Sequence, residues 1–242
     1  RLRLGLYLRR LRAVIEPMRA RGLGAVYIVL IHFPIALLLR CWSLVAQPLN
    51  GGPIQRALNQ RRFAAFQDRL AQSALPRFYV IVMPSTLHFL IPCLALLQGH
   101  AQLVLVVNGA RSWERRLLTK RFSDLPVFDL LTLPLSSVAH GNVITLLLEE
   151  QRGNFGIVDH DCYVFDPAVF AQLVPDDNEC VLSLFSEQSQ SVAITFPLTY
   201  FLFFNAPALL QLMQKYQVDA RLYREIPETA REAMMRIGLG PF

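Results

Sequence analysis

FYVIVMPSTLHFLIPCLALLQGHAQLVLVVNG, residues 78–109, is the stretch that decides the fold. Phe78–Met83 is an unbroken apolar run between two prolines, which suits a strand covered on both faces. Leu87–Gln98 is apolar over the length of a helix and stops at Gly99. Leu103–Val107 is a second strand, closed by Asn108-Gly109. The alternation continues downstream. Arg111–Phe122 reads as a polar helix, Val127–Leu133 as a third strand and Val138–Gln151 as a helix ending in Glu149-Glu150. Phe155–Val158 is a fourth strand that runs straight into Asp159-His160-Asp161. Strict strand–helix alternation predicts an α/β domain with right-handed crossovers, a mostly parallel sheet and helices on both faces. The 33 uncharged residues from Phe78 to Ala110 imitate membrane spans. Breaks at Pro84, Pro92, Gly99 and Gly109 argue against that.

The rest of the chain differs in charge. Of 242 residues 53% are hydrophobic and only 17% charged, yet the formal net charge is +6. Such a composition excludes disorder. Residues 1–77 hold 13 arginines and two acids, Glu16 and Asp68, for a net +11, which leaves −5 on the remaining residues. A nucleic-acid-binding domain would carry its basic stripe on the folded body, so a nucleic-acid partner is not expected. Leu4, Leu8, Leu11 and Ile15 line one face of a helix that Pro17 should end. Gly22–Leu39 is then an 18-residue run without a charge, at the short edge of what spans a bilayer. Ile54–Leu75 reads as helical again, with Phe63, Phe66 and Leu70 beside Arg56, Arg61, Arg62 and Arg69. Three readings of this region stand side by side. They are a single span, a re-entrant or interfacial anchor broken at Pro34 with arginines on anionic lipid heads, and a helical hairpin buried against the body. The expected division is a basic, apolar helical anchor region at 1–76 and a catalytic domain at 77–242. Membrane contact is expected through residues 1–54, with the domain on the cytoplasmic face.

In a parallel sheet, ligands sit at the carboxyl ends of the strands. Here those ends are Pro84-Ser85-Thr86, Asn108-Gly109, Pro134-Leu135-Ser136-Ser137 and Asp159-His160-Asp161, the short polar segments of a very apolar stretch. Two carboxylates at i and i+2 just past a buried strand can reach one metal ion, and hard oxygen ligands suit Mg²⁺ or Mn²⁺ shared with substrate phosphates. Such an ion would offset charge on a departing diphosphate. A solvated turn is the plainer alternative. Asp166, before Pro167, is expected to cap a helix.

The segments FYVIVMPST, LVLVVNG and SSVAHGNVITLLLEEQRGNFGIVDHDCYVFDP together resemble the donor half of a GT-A-type nucleotide-diphospho-sugar glycosyltransferase of the family-2-like group, over roughly residues 77–205. The resemblance implies a Rossmann-like sheet, a nucleotide-diphospho-sugar donor and a glycan or lipid-linked acceptor. In that family the first-strand proline loop and the end of the second strand hold the nucleotide, which maps to Pro84, Ser85, Thr86 and Asn108. Gly141 and Asn142, beside His140, resemble the Gly and Asn that open the helix before the metal strand and face the donor. Asp159 and Asp161 match the D-x-D, with Asp159 also on the donor. The aromatic-Asn usual after the first-strand proline is Ser85-Thr86 here, and the second strand ends in Asn rather than Asp, so the nucleotide is not implied. In inverting members a downstream carboxylate deprotonates the acceptor hydroxyl. Glu187, in the otherwise uncharged Ser183–Val192, is the candidate, whereas Asp176, Asp177 and Glu179 read as an exposed turn. The family's acceptor region commonly continues past Gly240-Pro241-Phe242, so the resemblance implies a C-terminally incomplete domain.

Cys41, Cys93, Cys162 and Cys180 form no C-x-x-C, which favours four free thiols in a reducing compartment. No zinc, P-loop, esterase or dinucleotide motif occurs, and His32, His88 and His100 read as structural. Phe196–Phe204 reads as a buried strand or, alternatively, a wall of the acceptor pocket. Pro207–Tyr216 and Glu228–Ile237 read as helices. Two further readings share the fold: nucleotidyl transfer with the same metal logic, and a non-catalytic, membrane-bound scaffold with a degenerate site.

Overall fold

The computed structural model describes residues 33–220 other than 152, 176–178, 184–185, 189–194 and 198–199. The expected helices at Arg1–Glu16 and Glu228–Ile237, most of the apolar run Gly22–Leu39, and the turn at Asp176-Asp177 lie outside these residues. The chain divides into two compact units, Arg1–Ala46 and Gln47–Phe242.

Helix α1 (Phe33–Asn50) supplies the described part of the first unit and ends in the second. The chain is continuous helix through Arg40, with Pro34 in the first described turn, where a missing N–H costs little. Within the first unit Ile35, Leu38, Trp42, Leu44 and Val45 are exposed, Leu38 and Leu44 at 69% each. No helix among the described residues is long and apolar enough to cross a membrane.

The second unit is a mixed α/β domain. Its main sheet has six strands in the order β3-β2-β1-β4-β8-β5. Strands β1 (Arg77–Val82), β2 (Gln102–Val107), β3 (Val127–Asp129) and β4 (Phe155–Asp159) are parallel to one another. Strand β8 (Phe201–Phe204) runs antiparallel to β4, and β5 (Val181–Ser183) antiparallel to β8. A separate ribbon pairs β6 (Ser186–Gln188) with β7 (Thr195–Pro197). The aromatic segment 196–204 is thus split between the ribbon and a buried strand of the main sheet.

Alternation along β1 divides the interior into two layers, as a two-sided sheet requires. Tyr79 and Ile81 join Phe63, Phe128, Phe155, Leu202 and Leu209 on one face. That layer lies under α2 (Pro53–Gln67), α5 (His140–Glu150) and α6 (Ala206–Tyr216). Phe78, Val80 and Val82 join Leu90, Leu105, Leu118, Phe201 and Phe203 on the other, under α3 (Leu87–Leu97) and α4 (Ser112–Arg121). Gly156 stands opposite Phe78 in the β1–β4 register, and the Phe78 ring fills the space that a side chain at 156 would need.

Two elements depart from the sequence reading. The arginines of α2 group it with the basic N-terminal region in sequence, but the helix packs on the sheet. Phe63 is fully buried with its ring centroid 4.9 Å from Phe128 and 5.8 Å from Tyr79. Burying such a ring is worth roughly 2–3 kcal/mol, and Arg56 pairs with Glu149 of α5. The compact unit that holds the sheet, Gln47–Phe242, includes α2. The third strand, expected to reach Leu133, stops at Asp129, and residues 130–139 are irregular. Asparagine side chains take over the backbone groups a longer strand would have used. Leu131 N–H donates to Asn59 Oδ1 at 2.8 Å, and Leu133 N–H to Asn50 Oδ1 at 2.9 Å.

Candidate active site

Strands β1, β2 and β3 progress outward on one side of β1, while β4 lies on its other side. The order reverses between β1 and β4, and a crevice at the carboxyl ends of such a pair is where α/β sheets bind ligands. Two loops border that point, 83–86 after β1 and 160–162 after β4.

Asp159 closes β4. Its N–H donates to the Tyr200 carbonyl at 2.9 Å, and its own carbonyl accepts the Cys162 N–H at 3.0 Å. This places Asp159 and Asp161 on one tight turn, with Asp159 half-buried and Asp161 exposed. Burial pushes the Asp159 carboxyl up to about 6, the negative charge of Asp161 adds to the shift, and His160 opposes it. No described residue donates a hydrogen bond to either carboxylate. Two carboxylates therefore stand side by side with no hydrogen-bond donor among the described residues, which is the arrangement a shared cation would relieve. Among the described residues no three His, Cys, Asp or Glu side chains cluster as metal ligands. Two carboxylates are enough for Mg²⁺ or Mn²⁺ when substrate phosphates complete the shell.

Beneath the turn, the Cys93 thiol donates to the Cys162 carbonyl at 3.2 Å. Burial pushes the Cys93 thiol up to about 12 and the Cys162 thiol to about 11, so both stay protonated and unreactive. All four cysteines are free. Phe89 of α3 lies 6.4 Å from the His160 ring, centroid to centroid, and is exposed.

The β1 loop is tied down. Thr86 Oγ1 donates to the Met83 carbonyl at 2.7 Å, and Pro84 is half-buried. Ser85 has φ +67°, in the left-handed region that non-glycine residues rarely enter. Its N–H donates to Glu114 Oε1 at 2.6 Å. The other oxygen of that fully buried carboxylate accepts the Arg111 N–H at 2.7 Å.

Asn108 is fully buried, with its amide on both backbone groups of Val138, accepting at 2.7 Å and donating at 2.8 Å. It anchors the loop 130–139 from below rather than facing the crevice. Gly109 follows at φ +80°, and a side chain there would strike the Ser136 carbonyl. His140 opens α5, and its Nε2 is buried without a partner. Burial lowers its pKa and keeps the ring neutral. Asn142 is half-buried and lines a narrow cavity with Asn50, Arg56, Asn59 and Thr145. Asp166 Oδ1 accepts the Ala168 N–H at 2.9 Å, so it caps the short 3-10 helix Pro167–Gln172 as expected. Glu187 sits on the β6–β7 ribbon opposite Phe196, outside the six-stranded sheet.

The structure thus brings Pro84, Ser85, Thr86, Asp159 and Asp161 to one switch point. His140 and Asn142 stand at the opening of α5, on the same carboxyl edge. Sequence reasoning missed Glu114 and the pegs Asn50 and Asn59. The only signal for Glu114 was an acid in the first turn of a helix that follows a strand, where backbone N–H groups need an acceptor.

With that geometry in place, the sequence model of the StrH glycosyltransferase N-terminal domain matches residues 54–209, from α2 into α6. The chain belongs to this glycosyltransferase family. The match begins in α2, in agreement with the packing of that helix on the sheet. No curated protein matches the chain. Among solved structures, a crystal structure of 4-diphosphocytidyl-2C-methyl-D-erythritol synthase matches with a TM-score of 0.40 and 13% identity, over 70% of this chain and 88% of that one. The glycosyltransferase domain therefore comprises the six-stranded, mainly parallel sheet and its helices, with the β1–β4 switch point at its centre.

Proposed function

We propose that this glycosyltransferase domain moves a sugar from a nucleotide-diphosphate donor to a glycan or lipid-linked acceptor, with Mg²⁺ or Mn²⁺ held by Asp159 and Asp161. One observation carries the reading: two adjacent carboxylates with no hydrogen-bond donor among the described residues stand at the switch point, one of them pushed up to about 6. That donor set fits a divalent ion completed by diphosphate oxygens, and the bound ion would offset charge on the departing diphosphate. The chain's own residues do the rest. Pro84, Ser85 and Thr86 border the nucleotide, His140 and Asn142 face the donor from α5, and Asn108 holds the 130–139 loop behind them. Glu187 takes the proton of the acceptor hydroxyl as its oxygen bonds to the anomeric carbon. The bond from that carbon to the diphosphate breaks, and the nucleoside diphosphate leaves. The exposed apolar side chains of α1, with the arginines of the N-terminal region, rest on anionic lipid and keep the domain at the cytoplasmic face of a membrane.

Titration of UDP-, GDP- and dTDP-sugars with Mn²⁺ tests the reading on the wild type and Asp161→Ala. Metal-dependent binding to the wild type that Asp161→Ala removes is the expected result; no binding to the wild type sinks it. Release of nucleoside diphosphate rather than pyrophosphate separates glycosyl from nucleotidyl transfer. For the lipid contact, the full chain should sediment with anionic vesicles, and a protein lacking residues 1–46 should not.

A further inference from the structure

We infer that Glu114 is a positioning residue that sets the nucleotide-binding loop after β1 from beneath, without touching the ligand. This rests on the nucleotide-sugar reading of the switch point. The Glu114 carboxyl group has no exposed surface, and no described lysine, arginine or histidine forms an ion pair with it. A buried carboxylate without a cation persists only where hydrogen-bond donors replace water. Here the donors are two main-chain N–H groups, one from each neighbouring loop. Arg111 N–H belongs to the segment after β2, and Ser85 N–H to the segment after β1. One side chain therefore fastens two strand ends to the first turn of α4, where unsatisfied helix N–H groups favour negative charge.

The bond to Ser85 has a second consequence. Ser85 is one of three described non-glycine residues with positive φ, and it is exposed. Such a backbone is strained for any residue with a Cβ and persists only where its surroundings hold it. The short bond to Glu114 supplies that hold on the side away from the crevice. Glutamine in place of Glu114 would turn an N–H₂ group toward one of the two N–H donors. The loop would then relax out of the left-handed conformation, although no group at the crevice surface had changed. Glycine at 85 reaches positive φ without steric cost, so it needs no hold.

The experiment compares wild type, Glu114→Gln, Ser85→Gly and the double variant. Two readouts are taken: the Kd of UDP-, GDP- and dTDP-sugars with Mn²⁺, and hydrogen exchange at the Ser85 and Arg111 amides. Glu114→Gln should weaken donor binding about tenfold or more, as loss of geometry without loss of contact does, and should speed exchange at the Ser85 amide. Ser85→Gly removes a side chain that borders the nucleotide, so its own Kd is the baseline for the double variant. In that background Glu114→Gln should change Kd by less than about threefold while still lowering Tm, a rescue that a merely structural role would not give. Should Glu114→Gln not fold, Glu114→Asp, which keeps the charge but withdraws it from Ser85, is read in the same way. Unchanged binding in Glu114→Gln overturns the inference, and so does a failure of Ser85→Gly to rescue. A wild type that binds no nucleotide ends the donor reading and this role with it, whereas loss of the Glu114 effect in a protein that does bind ends this role alone.

Discussion

Two loops at the carboxyl edge of the same sheet are built on opposite terms. The 130–139 loop has no regular structure, yet its backbone is pegged by three buried asparagines: Asn59 on Leu131, Asn50 on Leu133 and Ser137, and Asn108 on Val138. The 159–161 turn has a well-formed backbone, but its two carboxylates have no described donor. In the first loop side chains satisfy the main chain, and in the second the main chain is satisfied while the side chains are left over. Polar residues at a strand end therefore divide into those spent on the fold and those left for a ligand. The line between them follows hydrogen-bond partners rather than residue type.

The largest effect that would break this contrast lies in the turn. Asp161→Ala should lower Mn²⁺-dependent nucleotide-sugar affinity on the order of a hundredfold or more, since two carboxylates carry the proposed metal set. Calorimetric titration reads it, and unchanged affinity would show that the acids are spent after all. In the pegged loop the loss should be of stability. Asn108→Ala strands the Val138 N–H and carbonyl in a dry site and should cost about 2–4 kcal/mol, read by urea denaturation. A loss under 1 kcal/mol would mean the loop does not depend on its pegs.

Asp159→Asn sharpens the comparison with the opposite sign. The folded-state pKa of Asp159 is raised from 3.8 to about 6, so the folded protein binds this proton more tightly than the unfolded chain. The charged form therefore destabilises the fold, by an amount that is absent below about pH 4, grows to about pH 6 and is constant above it. The metal-free Asn variant should be more stable than wild type by about 3 kcal/mol at pH 7 and equal to it near pH 4. Thermal melts at the two pH values check this, and equal Tm at pH 7 would remove the argument that burial and the neighbouring Asp161 penalise the charged form. The smallest effect is expected at the exposed Arg115–Asp129 pair, 2.7 Å apart. Arg115→Ala should cost under about 1 kcal/mol, as solvent-facing ion pairs do, and a larger loss would place that pair among the pegs.

The parallel core was legible in the sequence because strands covered on both faces must be apolar without a break. Phe78–Met83 and Leu103–Val107 each fall within one residue of the observed strands. The positions of Asp159 and Asp161 at the carboxyl end of β4 were legible because strand–helix alternation marked them. Asn108 was not: a buried asparagine that serves a backbone and one that faces a nucleotide have the same letter and the same neighbours in sequence. The packing of α2 on the sheet was not legible because its arginines are local, whereas the partners that fix it are distant, with Glu149 lying 93 residues from Arg56. Glu114 was hidden in a helix polar enough to read as solvated, since nothing local shows that its first turn is covered.

The contact between Gly156 and the Phe78 ring bears on how this family can vary. The two residues face each other across the strands that define the switch point, and one ring occupies the volume both would need. Neither can be enlarged alone without parting β1 from β4 and moving Asp159 with it. Across relatives the two positions should therefore drift as a couple, with a larger residue at 156 appearing only where the aromatic at 78 has been traded for something smaller. A sequence alignment would then carry the imprint of that packing as covariation.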